Sequence, residues 1–368
     1  MKFVKYSFIL LFTCILLLPV CFINLQSNVA SSLDNRMLAP LPTDLHHFRM
    51  DGETILKDRI GFRDTMLMLY QNLQYRLFGV LPHPLYMVGQ EGHVFYGFDA
   101  YVNDYQHRNI EPQQIAERVE KLEHMHTHLQ AQGIGFLYAL MPDKKTVYSE
   151  FYPHSIHQKP NPSFAQSIEN ALQNTNVPYF FAQDVLQNAK AVRPTYNKKF
   201  DAGHFNAFGA FVVQQALAQK MQAFYPEYQV PALQEFTEST TQIPLQKYIG
   251  IWEEEQVPSL VLNNRNFTVQ KGTENDRFTY MAENKNAPIQ NTLFVFGDSY
   301  FINCDAYAPT PTAIDYFAKN FTKVYVFNGF AMAEIDALIK SYQPKFVIYE
   351  TAERVAYLDG AFFWSVSK

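Results

Sequence analysis

Ser299 closes the stretch Phe294-Val295-Phe296-Gly297-Asp298-Ser299, where an apolar run stops at a Gly-Asp-Ser turn that presents a serine hydroxyl. A serine hydroxyl is a poor nucleophile at neutral pH until an imidazole accepts its proton, and the imidazole needs a carboxylate to fix its tautomer and stabilise its cation. Phe200-Asp201-Ala202-Gly203-His204-Phe205-Asn206, a polar loop leading into a helical pattern, offers both groups in Asp201 and His204. Each motif alone is also what an ordinary turn produces, since Gly, Asp and Ser all favour turns. Their joint presence makes acyl transfer through Ser299, His204 and Asp201 the chemistry to test.

Such a reaction also needs hydrogen-bond donors for the oxyanion of its tetrahedral intermediate. The Ser299 amide is one candidate. Asn328, after the apolar run Val324 to Phe327, is another, with a turn before Gly329 as its plainer role. Arg354 and Tyr357 follow the last expected strand as candidate substrate contacts; for Arg354 the alternative is a salt bridge with Glu350 or Glu353. Asp143-Lys144-Lys145, also after a strand, suits either an anionic sugar or an internal ion pair. His124, His126 and His128 do not make a metal site, because only the first and last share a helical face and no Cys or Asp nearby completes a set. No dinucleotide fingerprint or phosphate loop is present, and no cofactor is expected.

These residues must be positioned by a sizeable fold. The chain has 368 residues, 48 % of them hydrophobic, enough for a substantial core. A net charge of −5 gives no basic field for a polyanion, so nucleic acid is not an expected partner. Lys2 and Lys5 precede an apolar run from Phe8 to Ile23, broken only by Thr13 and Pro19. The pattern fits a signal peptide or a signal anchor over residues 1–25, and the poor cleavage site at Asn28-Val29-Ala30 favours an uncleaved anchor, positive side in the cytoplasm. Cys14 and Cys21 lie in that run, so Cys304 is left without a disulfide partner and reads as a small buried hydrophobe.

Residues 26–50 are polar and proline-marked and read as a stalk, with the domain expected over 51–368. Helical spacing is expected over Thr54 to Phe78, with Gly61 as a divide, and over Glu111 to Gln132, Phe205 to Phe224, Thr312 to Lys319 and Met332 to Tyr342. Strands are expected over Ile134 to Leu140, Val177 to Phe181, Leu293 to Phe296, Lys323 to Phe327 and Lys345 to Tyr349. The alternation predicts an α/β fold, a parallel sheet covered by helices on both faces. Residues 225–288 read as an insertion with short strands, and Glu253-Glu254-Glu255 within it as a solvated turn.

The motifs in series resemble the SGNH hydrolase superfamily, and within it the alginate O-acetyltransferase group of AlgJ/AlgX-type proteins. The matching stretches are Asp34-Asn35-Arg36 with Ala39-Pro40, Asp58-Arg59-Ile60-Gly61-Phe62-Arg63, Gly89-Gln90-Glu91-Gly92-His93-Val94-Phe95 and Met141-Pro142-Asp143-Lys144. His204-Phe205-Asn206 with Gly209, Gly297-Asp298-Ser299-Tyr300 and Glu353-Arg354 complete them. The resemblance implies Ser299 as nucleophile, His204 as general base and Asp201 as the orienting acid, in the permuted order that this group shares. The group has Asp-x-His where this chain has Asp-x-x-His.

By that resemblance the chain is expected to be an extracytoplasmic, membrane-anchored O-acetyltransferase acting on an exported polysaccharide, with acetyl groups passed outward by a membrane-embedded partner. A carbohydrate acetylesterase using the same three residues is the alternative. A non-catalytic component of an export complex is a third, favoured if Ser299 and His204 do not converge.

Overall fold

Odd and even positions of the strand Gly135–Met141 enter different cores: Leu137, Ala139 and Met141 join one cluster, Phe136, Tyr138 and Leu140 another. The same split divides Leu293 and Val295 from Phe294 and Phe296, and Phe346 and Ile348 from Val347 and Tyr349. A strand whose side chains alternate in direction yet are all apolar must be covered on both faces. That is why these segments read as unbroken hydrophobic runs.

The computed structural model describes residues 2–31, 36–42, 44–302 and 313–358. Cys304, with Asp34 and Asn35 of the stalk motif, lies outside the described residues. A seven-stranded sheet runs in the order Tyr179–Phe181, Gly135–Met141, Phe346–Ala352, Ile289–Gly297, Phe321–Asn328, Tyr280–Glu283, Thr268–Lys271. The first five are parallel, and the last two join through antiparallel pairings, Tyr280–Glu283 against Phe321–Asn328 and Thr268–Lys271 against Tyr280–Glu283. Helices Gln183–Lys190, Ala207–Met221 and Ala313–Ala318 contribute to one core, and Pro112–Ala131, Phe164–Leu172 and Ile335–Tyr342 to the other. The fold is thus the expected α/β class. The 225–288 stretch gives more than an appendage: besides the hairpin strands Phe236–Pro244 and Glu254–Leu262, it supplies these last two strands of the main sheet.

The chain divides into two compact units, 1–83 with 244–254, and 84–243 with 255–368. In the first, the helix Lys2–Cys21 contains the one described segment apolar and long enough to cross a membrane, Val4–Cys21, with mean hydropathy 2.1. Helices Leu45–Arg59 and Arg63–Phe78 part near Gly61, as the sequence suggests. A Cβ on Gly61 would meet the Phe22 carbonyl oxygen at 2.6 Å, so only glycine fits there. Arg59 is 1 % exposed, and its guanidinium donates to the carbonyls of Asn24, Gln26 and Ala39 at 3.0, 2.7 and 2.6 Å. Asp58 accepts from the Ala39 amide at 3.0 Å. The Asp58-Arg59 motif therefore supplies hydrogen-bond partners to backbone groups at Asn24, Gln26 and Ala39, which lie in no helix or strand.

Candidate active site

Three neighbouring parallel strands end at one edge of the sheet and deliver the polar residues there. Register pairs Ala352 with Met141 and Phe296 with Tyr349, so the segments after Met141, Gly297 and Ala352 emerge together. Asp143 follows the first strand, Asp298 and Ser299 the second, Glu353 and Arg354 the third. This carboxyl edge is where open α/β sheets bind their ligands.

Ser299 begins the short helix Ser299–Ile302 and is half-buried. Asp298 braces the turn from both sides: its Oδ1 accepts from the Tyr300 amide at 3.1 Å and its Oδ2 from the Ala352 amide at 2.5 Å. The Asp298 amide donates to Glu350 Oε2 at 3.0 Å. Gly297 sits in a crowded place, since an added Cβ would lie 2.9 Å from Glu350 Oε2 and 3.2 Å from Phe301 Cβ and both would have to shift. Glu350 is 1 % exposed, and burial, followed by the neighbouring Asp298 charge, raises its pKa well above the ordinary range.

His204 reaches this edge on the loop before Ala207–Met221, a helix capped by Asn206, whose Oδ1 accepts from the Gly209 amide at 2.9 Å. His204 Nε2 lies 2.7 Å from Ser299 Oγ, and Nδ1 lies 2.9 Å from both carboxylate oxygens of Asp201. Asp201 sits in the left-handed region with φ of 56°, a conformation tolerated by Asp. Its Oδ1 also accepts from the amides of Gly203 and His204 at 3.2 and 3.0 Å. Burial alone would raise the Asp201 pKa, but the His204 charge, hydrogen bonds from His204 and the Gly203 amide outweigh it and hold the carboxyl at about 2. The longer Asp-x-x-His spacing is thus accommodated by one left-handed residue.

Arg354 is the residue whose placement the sequence did not specify. Its Nη2 lies 3.1 Å from Ser299 Oγ and 2.9 Å from His204 Nε2. A guanidinium has no acceptor, so Nε2 must accept. The neutral imidazole therefore carries its proton on Nδ1, donated to Asp201, and keeps Nε2 open as a base. The expected partners Glu350 and Glu353 do not hold Arg354: its Nη1 pairs with Asp143, and its amide donates to Asp143 Oδ2 at 3.0 Å. Burial works most strongly against the guanidinium charge, but Asp143, Tyr300, Tyr96 and Asp298 together outweigh it and keep Arg354 protonated. The cation also sits over the rings of Tyr300 and Tyr96, 5.3 and 5.8 Å from their centroids.

The remaining candidates separate by position. Asn328 is exposed and stands opposite Gly297 in the parallel register, at the same sheet edge. Tyr357 packs edge-on against Phe164 and donates to the Arg108 carbonyl at 2.9 Å. Lys144 and Lys145 are 0 and 1 % exposed. Lys144 Nζ donates to the carbonyls of Val94 and Lys198 at 2.9 and 2.7 Å, and Lys145 Nζ lies 2.6 Å from Asp104. Of the two roles open to Asp143-Lys144-Lys145, the internal one is therefore the one observed. His128 Nε2 lies 2.6 Å from Asp336 Oδ1, and no cluster of three metal-binding side chains occurs among the described residues.

Sequence reasoning overlooked Tyr96 and the full role of Tyr300. The Tyr300 hydroxyl lies 2.7 Å from the carbonyls of both Gly203 and Pro142, and its ring meets His204 edge-on at 4.7 Å. A Cβ on Gly203 would come within 2.5 Å of the Tyr96 ring. The only available signal was position: Tyr300 adjoins the nucleophile motif, and Tyr96 follows the Gly89 to Phe95 stretch.

Comparison with known proteins agrees with this architecture. The family model described as SGNH hydrolase-like domain, acetyltransferase AlgX, matches residues 87–283, a stretch that contains Asp201 and His204 and ends before Ser299. No curated protein matches the chain. Among solved structures, PatB1 of Bacillus cereus with a sulfonyl adduct superposes with a TM-score of 0.57 at 14 % identity, covering 76 % of this chain and 97 % of that one. A DHHW family protein from Eubacterium siraeum gives 0.53 at 16 % identity, covering 77 % and 95 %. The O-acetyltransferase domain of Pseudomonas putida AlgJ gives 0.49 at 16 % identity, covering 77 % and 95 %. At these identities the likeness to the first two is one of fold alone.

Proposed function

The chain belongs to the family of SGNH hydrolase-like domains of the acetyltransferase AlgX type and is an acyltransferase; from that premise we propose that it O-acetylates hydroxyls of an exported polysaccharide through an acetyl-Ser299 intermediate. The observation that carries the reading is the continuous hydrogen-bonded series from Asp201 through His204 to Ser299, with a 2.7 Å contact between Nε2 and Oγ.

In the proposed reaction, Ser299 Oγ attacks the acetyl carbonyl of the donor while its proton passes to His204 Nε2. Asp201 stabilises the imidazolium through Nδ1. The carbonyl electrons move to oxygen, where the Ser299 amide and Arg354 Nη2 are the donors at hand, with Asn328 as a third at the same edge. Collapse expels the donor alkoxide, which takes the proton from Nε2. A sugar hydroxyl then gives its proton to Nε2 and attacks the acetyl-serine. The second intermediate collapses to the sugar ester, and Ser299 regains the proton.

The apolar helix Lys2–Cys21 supports an anchor in the inner membrane, positive side in the cytoplasm, with the remainder outside. In this arrangement a membrane-embedded partner supplies acetyl groups from across the bilayer. Ser299→Ala should abolish polymer acetylation at unchanged protein level; retained acetylation would sink the assignment. Purified protein with an acetyl ester, with and without oligosaccharide, separates transfer from hydrolysis. Acetyl appearing on sugar supports the transferase, and hydrolysis indifferent to sugar supports the esterase.

A further inference from the structure

We infer that Glu255 is a positioning residue for the loop carrying Asp201 and His204, an internal anion that orders three consecutive backbone amides; the inference rests on the triad reading above. Lys198 to His204 lies in no helix or extended strand, so its shape must come from other bonds. Glu255 Oε1 accepts from the Lys198 amide at 2.7 Å, and Oε2 from the amides of Lys199 and Phe200 at 2.9 and 2.6 Å. The amides of Gly203 and His204 then turn onto the Asp201 carboxylate. Two carboxylates thus satisfy five amides of a seven-residue loop, and only one of the two belongs to the triad. The sequence placed Glu253-Glu254-Glu255 in a solvated turn, yet Glu255 is half-buried and holds the start of the loop.

Carbonyls of the same loop are fixed from the opposite direction. Lys198 O accepts from the Val94 amide at 2.9 Å and from Lys144 Nζ at 2.7 Å, and Gly203 O from the Lys144 amide at 3.2 Å and the Tyr300 hydroxyl at 2.7 Å. With its carbonyls held at Lys198 and Gly203, the loop keeps His204 in register only if the intervening amides are held as well. Consecutive amides converging on one anion form a nest, which binds carboxylates in general. Glu255 also lines a cavity of about 710 Å³ shared with Lys198, Asn197 and Phe151. Truncating Glu255 therefore leaves a vacated anion site beside an open cavity, which a small carboxylate can refill.

The test uses full-length protein in detergent, a chromogenic acetyl ester as donor, and formate as the probe. Glu255→Ala should lower kcat about a hundredfold, the cost of a displacement near 1 Å. KM should stay within about twofold, because the loop is assigned to chemistry and not to donor binding. Formate should restore kcat saturably in Glu255→Ala, and should not do so in His204→Ala. Glu254→Gln, on an exposed neighbour, should leave kcat unchanged. Unaltered kcat in Glu255→Ala, or a loss that formate leaves untouched, overturns the inference. If Ser299→Ala keeps ester turnover, the triad reading fails separately. The amide resonances of Lys198, Lys199 and Phe200 then decide: displacement in Glu255→Ala and return with formate supports the positioning role, and resonances that stay in place overturn it.

Discussion

Arg354 Nη2 and Ser299 Oγ address the same nitrogen of His204, at 2.9 and 2.7 Å, while 3.1 Å separates the two of them. A permanent cation therefore stands beside the proposed nucleophile. In the proposed reaction, once Nε2 takes up the serine proton it can no longer accept from Arg354, so that Nη2 hydrogen is released as negative charge develops on the acyl oxygen. Asp143 holds the guanidinium from the other side and prevents it from following solvent.

Arg354→Met should be both less stable and inactive, because it removes the nearer cation from the buried Asp143 carboxylate and leaves Lys145 Nζ at 3.6 Å, a loss of about 3 kcal/mol at the low end for a broken buried pair. Adding Asp143→Asn should recover most of the thermal stability but leave kcat on the order of a hundredfold low, the typical cost of one oxyanion donor. Melting curves and ester turnover on the single and double variants check this. Restored kcat in the double variant would make Arg354 purely structural.

Asp201 gives the site an acid limit. Its folded pKa of about 2 lies below the ordinary 3.8, so the stability it contributes is present above pH 3.8 and is lost as pH falls towards 2. Asp201→Asn should flatten the stability profile in that window, measured by urea denaturation. It should also reduce kcat by about a thousandfold or more, since the amide no longer enforces the Nδ1–H tautomer.

Glu350 has the opposite sign. Its folded pKa is raised above 4.5, so its contribution is fullest below pH 4.5 and declines as pH rises towards its folded value. Glu350→Gln mimics the protonated acid and retains an oxygen to accept from the Asp298 amide. The variant should melt higher than the parent at pH 8, converge with it below about pH 4.5, and keep its turnover. A lower melting temperature at pH 8 would contradict this.

Gly297→Ala should displace the nucleophile turn, because its Cβ would enter the contact zones of Glu350 Oε2 and Phe301. The expected result is a fall in kcat of about a hundredfold with the fold intact by circular dichroism. Pairing it with Glu350→Ala, which vacates one neighbour, should return part of the rate.

The parallel part of the sheet was legible because its strands hold apolar runs such as Phe136 to Leu140, Leu293 to Phe296 and Phe346 to Tyr349, and the helices because their spacing differs from that pattern; the exposed strand Thr268–Lys271 carries no such run. Ser299 and His204 were legible because their local motifs end a strand and precede a helix. Arg354 was visible as a charge after a strand, but its partner was sought among Glu350 and Glu353, close in sequence, when parallel register brings Asp143 to it from 211 residues away. The Glu255 side chain looked solvated because nothing local reveals that three amides of another segment need an acceptor.

The sequence by itself determined the α/β class, the apolar N-terminal segment and the identities of the nucleophile and base candidates, all properties of composition, periodicity and short motifs. Only the tertiary structure decided that Asp201 meets His204 across the longer spacing, that Arg354 pairs with Asp143, and that Glu255 holds the loop. Those choices depend on distances between segments remote in the chain, and strand register and backbone hydrogen bonding set such distances only once the sheet has formed.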